Sequence, residues 1–159
     1  MRSFVRFLPF ILPSLVSGCD TSEPPSLAEI EAVACETAST GTRRAVITSA
    51  RPEEAPLVKT EEDVLWSLAL ASAPTGDLQY VRLEVTHAAP EVLFFFAVPM
   101  QIEIVDDEGV VQEILDEGPS EACDELREAH VAVLEPGGYT LGLRPREAVE
   151  GVEAVFMAK

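Results

Sequence analysis

From Arg44 onward the chain alternates apolar and polar residues with a period of two, the repeat that puts successive side chains on opposite faces of a β-strand. Tyr80 to Thr86 is the cleanest stretch: Val81, Leu83 and Val85 share one face, and Tyr80, Arg82, Glu84 and Thr86 the other. Shorter β-rich runs are Ala45 to Ser49 and Val64 to Leu70, the latter between an acidic turn and SAPTGD. Glu91 to Val98 (EVLFFFAV) is apolar on both faces, so it is a central strand, a strand covered on both sides, or an edge needing a partner. Its three phenylalanines read as core, not as a ligand cage. Gln101 to Val105 and Val110 to Leu115 flank Asp106, Asp107, Glu108 and Gly109, which predicts a β-hairpin with Gly109 at positive φ. A second hairpin is expected between His130 to Leu134 and Tyr139 to Leu143, with Pro136 and Gly137 placed as a type II turn requires. Val152 to Met157 is the last strand. Helical spacing is confined to Leu27 to Thr37, through Leu27, Ile30 and Ala34, and to one or two turns in Ser120 to Ala129 that carry Cys123. The expected fold is all-β: an antiparallel β-sandwich or jelly roll of eight or nine short strands with little helix.

The beginning of the chain breaks this pattern. Arg2 and Arg6 precede an apolar run from Phe7 to Val16, interrupted by Pro9 and Pro13. Ten residues of helix reach only about 15 Å, half of a bilayer core, so the run is too short to span. It closes on Leu15, Val16, Ser17, Gly18 and Cys19, which resembles the lipobox of bacterial lipoproteins. The resemblance implies cleavage before Cys19, a diacylglyceryl group on its thiol and, usually, acylation of the new amine. Several acyl chains make a stable anchor where one alone is marginal. An ordinary cleaved secretory signal is the nearest rival, and it too leads out of the cytoplasm. The expected partner is therefore the membrane, through lipid on Cys19, with envelope proteins as further partners. The expected location is the cell envelope, in the periplasm or at the cell surface. Asp20 follows directly; in enteric lipoproteins an Asp there signals retention at the inner membrane, a rule that varies among bacteria. The organisation read from the chain is a signal peptide over 1–18, the lipidated cysteine and a Pro-containing tether over 19–26, a lead-in segment over 27–43, and one sandwich domain over 44–159.

Composition adds two constraints. Aliphatic and aromatic residues make up 47% of the 159 residues, enough for a packed core and unlike a disordered chain. The formal charge is −17, and it becomes more negative once Arg2 and Arg6 leave with the leader. Such a surface repels phosphate backbones, so no nucleic acid partner is expected. Cys35 and Cys123 remain as an even pair once Cys19 is assigned, in a compartment where disulfides persist. Bridged, they would close a loop of about 90 residues, worth roughly 4 kcal/mol in the chain-entropy picture. The alternative is two independent buried thiols.

Candidate chemistry is sparse. No serine sits in a GxSxG-like turn, and the available bases are His87 and His130. Neither HExxH spacing nor CxxC pairing occurs, so no catalytic residue, no metal ligand and no cofactor is assigned. A copper site from His87, His130, Met100 and Met157 would need assembly in space. A calcium site could draw on Asp106, Asp107 and Glu108, or on Asp116 and Glu117, although the DxDxDG spacing is missing. The run LEPGGYTLGL (Leu134 to Leu143) resembles the penultimate hairpin of small extracellular β-sandwiches of the prepeptidase C-terminal type. That resemblance implies an accessory module, not a catalyst. The expected function is a non-enzymatic structural or binding module, lipid-anchored at the cell envelope. A small-ligand or metal-binding envelope lipoprotein, for calcium or copper, is the alternative.

Overall fold

The computed structural model describes residues 26–70, 77–86 and 91–159, apart from the side chains of residues 121 and 122. Among them lie one helix, α1 (Leu27–Thr40), and ten strands: β1 (Thr42–Ile47), β2 (Leu57–Lys59), β3 (Val64–Ala69), β4 (Gln79–Val85), β5 (Val92–Phe96), β6 (Met100–Asp106), β7 (Ile114–Cys123), β8 (Leu126–Ala132), β9 (Gly137–Pro145) and β10 (Gly151–Ala158). The strands form two sheets, a six-stranded one in the order β1-β3-β10-β5-β8-β7 and a four-stranded one in the order β2-β4-β9-β6. The sandwich-like, mostly-β fold is as the alternation predicts.

The sheets are mixed and not antiparallel throughout. From β1 to β7 each strand joins the sheet opposite its predecessor, so β1 and β3 belong to one sheet and β2 and β4 to the other. A chain that crosses to the far sheet and returns has reversed twice, and β1–β3 and β2–β4 accordingly pair in parallel. The alternation of side chains carries no information about strand direction.

The same crossings cut the first expected hairpin short and overturn the second. β6 and β7 lie in different sheets, as do β8 and β9. Residues 106–112 do fold back on β6, with Gly109 at φ 84° and the Gln112 N–H donating to the Ile104 carbonyl at 2.8 Å, but the chain then leaves for the other sheet. At the second site Gly137 has φ 159°, an extended backbone and not the i+2 conformation of a type II turn. The sequential hairpin within one sheet is instead β7–β8, where helical turns were expected. Helix propensities of a few tenths of a kcal/mol per residue yield there to strand pairing, with β7 on one side and, at Glu128 and Ala129, with β5 on the other, and to the burial of Leu126 under α1.

Two cores result. Between the sheets lie Val81, Leu83, Phe94, Phe96, Ile104, Leu141, Leu143 and Phe156 among others. On the outer face of the six-stranded sheet, Ile30 and Ala34 of α1 pack on Leu65, Leu93, Phe95, Val155 and Met157. The central strand β5 therefore shows Phe94 and Phe96 to one core and Phe95 to the other, which is why its sequence is apolar on both faces. The lead-in segment is thus mainly a packed helix, and β1 starts at Thr42, two residues before the expected boundary. α1 opens with a capping box: the Ser26 backbone N–H and hydroxyl donate to the Glu29 carboxylate at 2.7 and 2.8 Å, and the Glu29 N–H donates back to Ser26 Oγ at 3.4 Å. Among the described residues no helix is long and apolar enough to cross a membrane.

Candidate functional site

The described residues bring together two groups of chemically distinctive side chains. The first is the Cys35–Cys123 disulfide, with Cα atoms 5.9 Å apart, inside the range such a bond requires. Cys35 lies on the third turn of α1 beside buried Ala34, and Cys123 ends β7 at the edge of the six-stranded sheet. The bond ties the helical layer to the last strand of the sheet it covers. Cys19, the expected lipidation site, and His87 lie outside the described residues.

The second group is polar and was not foreseen. In β8 Glu128 and His130 are buried on the same side as Ala132 of the core between the sheets, so two ionisable residues occupy core positions, while Leu126 belongs to the cluster under α1. His130 is fully buried, its ring meeting Phe96 edge-to-face with centroids 5.7 Å apart. Its Nε2 lies 3.2 Å from Glu128 Oε2, and its Nδ1 lies 3.6 Å from Glu117 Oε2 of β7, too far for a hydrogen bond. Glu128 is also buried; its Oε2 accepts the Met100 backbone N–H and its Oε1 lies 3.4 Å from an Arg146 guanidinium nitrogen. Arg146 reaches Glu117 Oε1 as well, at 3.4 Å. A buried carboxylate is costly unless paired and hydrogen-bonded, and Glu128 has a backbone donor, an imidazole and a guanidinium around it.

This arrangement joins β8, the edge strand β7, the start of β6 and the segment after β9. Its imidazole has no exposed surface and cannot meet a substrate in this conformation, whereas Glu117 and Arg146 are about half exposed. Two inward polar residues two apart in LREAHVA were the available sequence signal. The expectation of helical turns across Ser120 to Ala129 hid it, because a helix would place Glu128 and His130 on different faces.

The metal candidates do not converge. Met100 belongs to the core between the sheets and Met157 to the core under α1, so they and His130 form no single copper site. Asp106 already accepts three hydrogen bonds: its Oδ1 takes the N–H groups of Glu108 and Val110 at 2.9 and 2.8 Å, and its Oδ2 takes the Gln112 side-chain amide at 2.9 Å. Its carboxylate closes the turn at Gly109 in the manner of an Asx turn. Glu117 of the other acidic pair is engaged by Arg146. Among the described residues no group of three or more His, Cys, Asp and Glu is placed to hold a metal ion. No protein-family profile matches the chain, and no curated protein matches it.

Proposed function

We propose that this protein is a lipid-anchored component of the bacterial cell envelope, displaying outside the cytoplasm a disulfide-stapled β-sandwich that serves as a non-catalytic structural or binding module. The observation that carries this reading is the pairing of Cys35 with Cys123. It leaves Cys19 as the one cysteine of the three without a disulfide partner, and Cys19 is the residue that ends the lipobox-like run. A structural disulfide fits an oxidising compartment, which is where a lipobox would send the chain. Among the described residues the first folded element is α1 with its cap Ser26, seven residues after Cys19, and the intervening DTSEPP has the composition of a tether. The fully buried imidazole of His130 supports a non-catalytic role for the one histidine cluster described.

Cys19→Ala tests the anchor. The variant should accumulate as uncleaved precursor or leave the membrane fraction, and it should no longer incorporate labelled fatty acid. Unchanged processing, labelling and membrane extraction would sink the proposal.

A further inference from the structure

Among the described residues four strands end the two sheets: β1 and β7 in the six-stranded one, β2 and β6 in the four-stranded one. An edge strand carries a row of unpaired backbone N–H and C=O groups and invites another strand unless it is short, bulged, interrupted by proline or covered. Three of the four edges are blunted in these ways. β7 contains Pro119 and two breaks in its register against β8. β2 has three residues and follows Pro56. β6 is partly covered by the chain that folds back on it: the Asp106 N–H donates to the Val110 carbonyl, and the Gln112 N–H to the Ile104 carbonyl.

β1 has none of these protections. It runs through six residues, Thr42–Ile47, in unbroken register with β3, and holds no proline and no acidic residue. The Thr42 N–H donates to the Asp63 carbonyl at 2.8 Å and the Thr48 N–H to the Ala69 carbonyl at 2.9 Å, so the even-numbered residues turn their backbone groups to β3. Those of Arg43, Ala45 and Ile47 point away from the sheet, and among the described residues no hydrogen bond reaches them. Their side chains are exposed, and Ile47 is 70% exposed. The two arginines do not guard this edge by repulsion, because Arg43 pairs with Glu153 and Arg44 with Glu61.

We propose that β1 pairs with β1 of a second copy, antiparallel about a two-fold axis between their Ala45 residues, joining two six-stranded sheets into one. The register follows from which backbone groups are free. Centred on Ala45, the pairing sets Arg43 opposite Ile47 and Arg44 opposite Val46 of the second copy, and it uses the outward groups of Arg43, Ala45 and Ile47 in full. No like charges meet, and Ile47 covers the aliphatic stem of an arginine. A centre on Arg43 or Arg44 would set two arginines face to face. A centre on Val46 or Ile47 would bring Arg43 or Ala45 opposite Ser49, whose N–H and C=O are already taken by Tyr80. The net negative charge of each copy opposes their approach, but the Debye length at physiological ionic strength is about 8 Å, and Glu61 and Glu153 beside β1 are paired with its arginines.

The two-fold axis of an antiparallel pair is perpendicular to the sheet, so both copies turn the face covered by α1 to the same side. That geometry suits two chains anchored through Cys19 in one membrane, a consequence that rests on the anchoring role, whereas the pairing itself does not. An edge of six residues a side buries less than the roughly 800 Å² per partner of a standard interface, so the dimer is weak in solution, and confinement to one membrane raises its population.

Both cores and the disulfide lie within residues 26–159, so the chain from residue 19 onward with Cys19→Ser retains them and carries no lipid. Sedimentation equilibrium of this protein should show a monomer–dimer transition with a dissociation constant on the order of 100 μM. Ala45→Lys sets like charges directly opposite each other across the axis and should weaken the dimer at least tenfold, with the thermal midpoint of the dilute monomer unchanged. Leu57→Lys, on the β2 edge, should leave the dimer intact. Ala45→Cys should oxidise to a covalent dimer at least tenfold faster than Ile47→Cys, because the facing Cα atoms stand about 5.5 Å apart at Ala45 and roughly 14 Å apart at Ile47. A monomer at about 1 mM, an assembly larger than a dimer, a dimer that Ala45→Lys leaves intact or that Leu57→Lys weakens, or equal oxidation of the two cysteine variants would overturn the proposal, whatever the outcome of the Cys19 experiment.

Discussion

The two faces of the six-stranded sheet are covered in different ways. Among the described residues, a second sheet on the inner face supplies a core of twenty-one buried residues, and on the outer face one helix completes a cluster of eight. The inner layer is held by strand ladders on both sides and by aromatic rings in mutual edge-to-face contact, Phe94 with Phe156 at 5.7 Å and Phe96 with Phe156 at 6.0 Å. The outer layer rests on a fourteen-residue helix whose buried positions are Ile30, Ala34 and Thr37. An amphipathic helix of that length is marginal on its own, and so few apolar anchors leave it easily peeled. The disulfide from Cys35 to β7 and the capping box at Ser26 stand where burial is thinnest. Covalent and polar fastening thus appears on the face with the smaller hydrophobic contribution.

Truncating the same residue type on each face tests this difference most strongly. Phe94→Ala should cost about 4 kcal/mol in urea-induced unfolding, near the upper part of the range for such substitutions, because a cavity between two laddered sheets collapses poorly. Phe95→Ala should cost measurably less, since α1 can settle into the space. Equal losses would show that the helical layer is as rigid as the sandwich and would break the contrast.

Removing the bond by Cys35→Ser together with Cys123→Ser should come next, with a loss of roughly 4 kcal/mol at most in the loop-entropy picture. Hydrogen exchange should locate the effect: the α1 amides should lose protection well before those of β4 and β9. Uniform loss across both sheets would mean that the bond acts only through the unfolded chain.

The smallest effect belongs to the cap. Ser26→Ala should cost about 1 kcal/mol and fray the first turn of α1, visible in circular dichroism and amide exchange. The capping box also makes the helix pH-sensitive. Hydrogen bonds from the Ser26 backbone N–H, and then from its hydroxyl, hold the Glu29 carboxyl below the usual carboxylate range, with desolvation a lesser opposing influence. A carboxyl held lower in the folded state contributes stability that is fully present above its unfolded value and is lost as pH falls through the lowered folded value. Protection of the first turn of α1 should therefore fall on acidification below about pH 4.5, and Glu29→Gln should flatten that response.

Much of the architecture was legible where a strand has one wet face or two dry ones. Val81, Leu83 and Val85 point inward as their alternation requires, and EVLFFFAV is covered on both sides. Gly109 takes its positive φ because the Asp106 turn demands it. The run from Ser120 to Ala129 misled for a physical reason: its residues are good helix formers, and what makes it β-structure is the β7–β8 pairing anchored, through Glu128 and Ala129, on β5 some thirty residues earlier in the chain. Of the distinctive side chains, the Cys35–Cys123 pair followed from counting cysteines. The association of Glu117, Glu128, His130 and Arg146 did not, since it depends on a register between β7 and β8 and on where the chain passes after β9.

Taken alone, the amino-acid order determined most of the strands, though not β2 or most of β7, and with them which side of each is apolar, which two cysteines remain to pair, and the lipobox-like run at the start. These are local properties, set by backbone periodicity and by composition over a few residues. The tertiary structure alone decided which sheet each strand enters, that two strand pairs run parallel, and that α1 covers the outer face. Those outcomes are sums over contacts between residues far apart in the chain, and the period of two is identical for a strand in either sheet and in either direction.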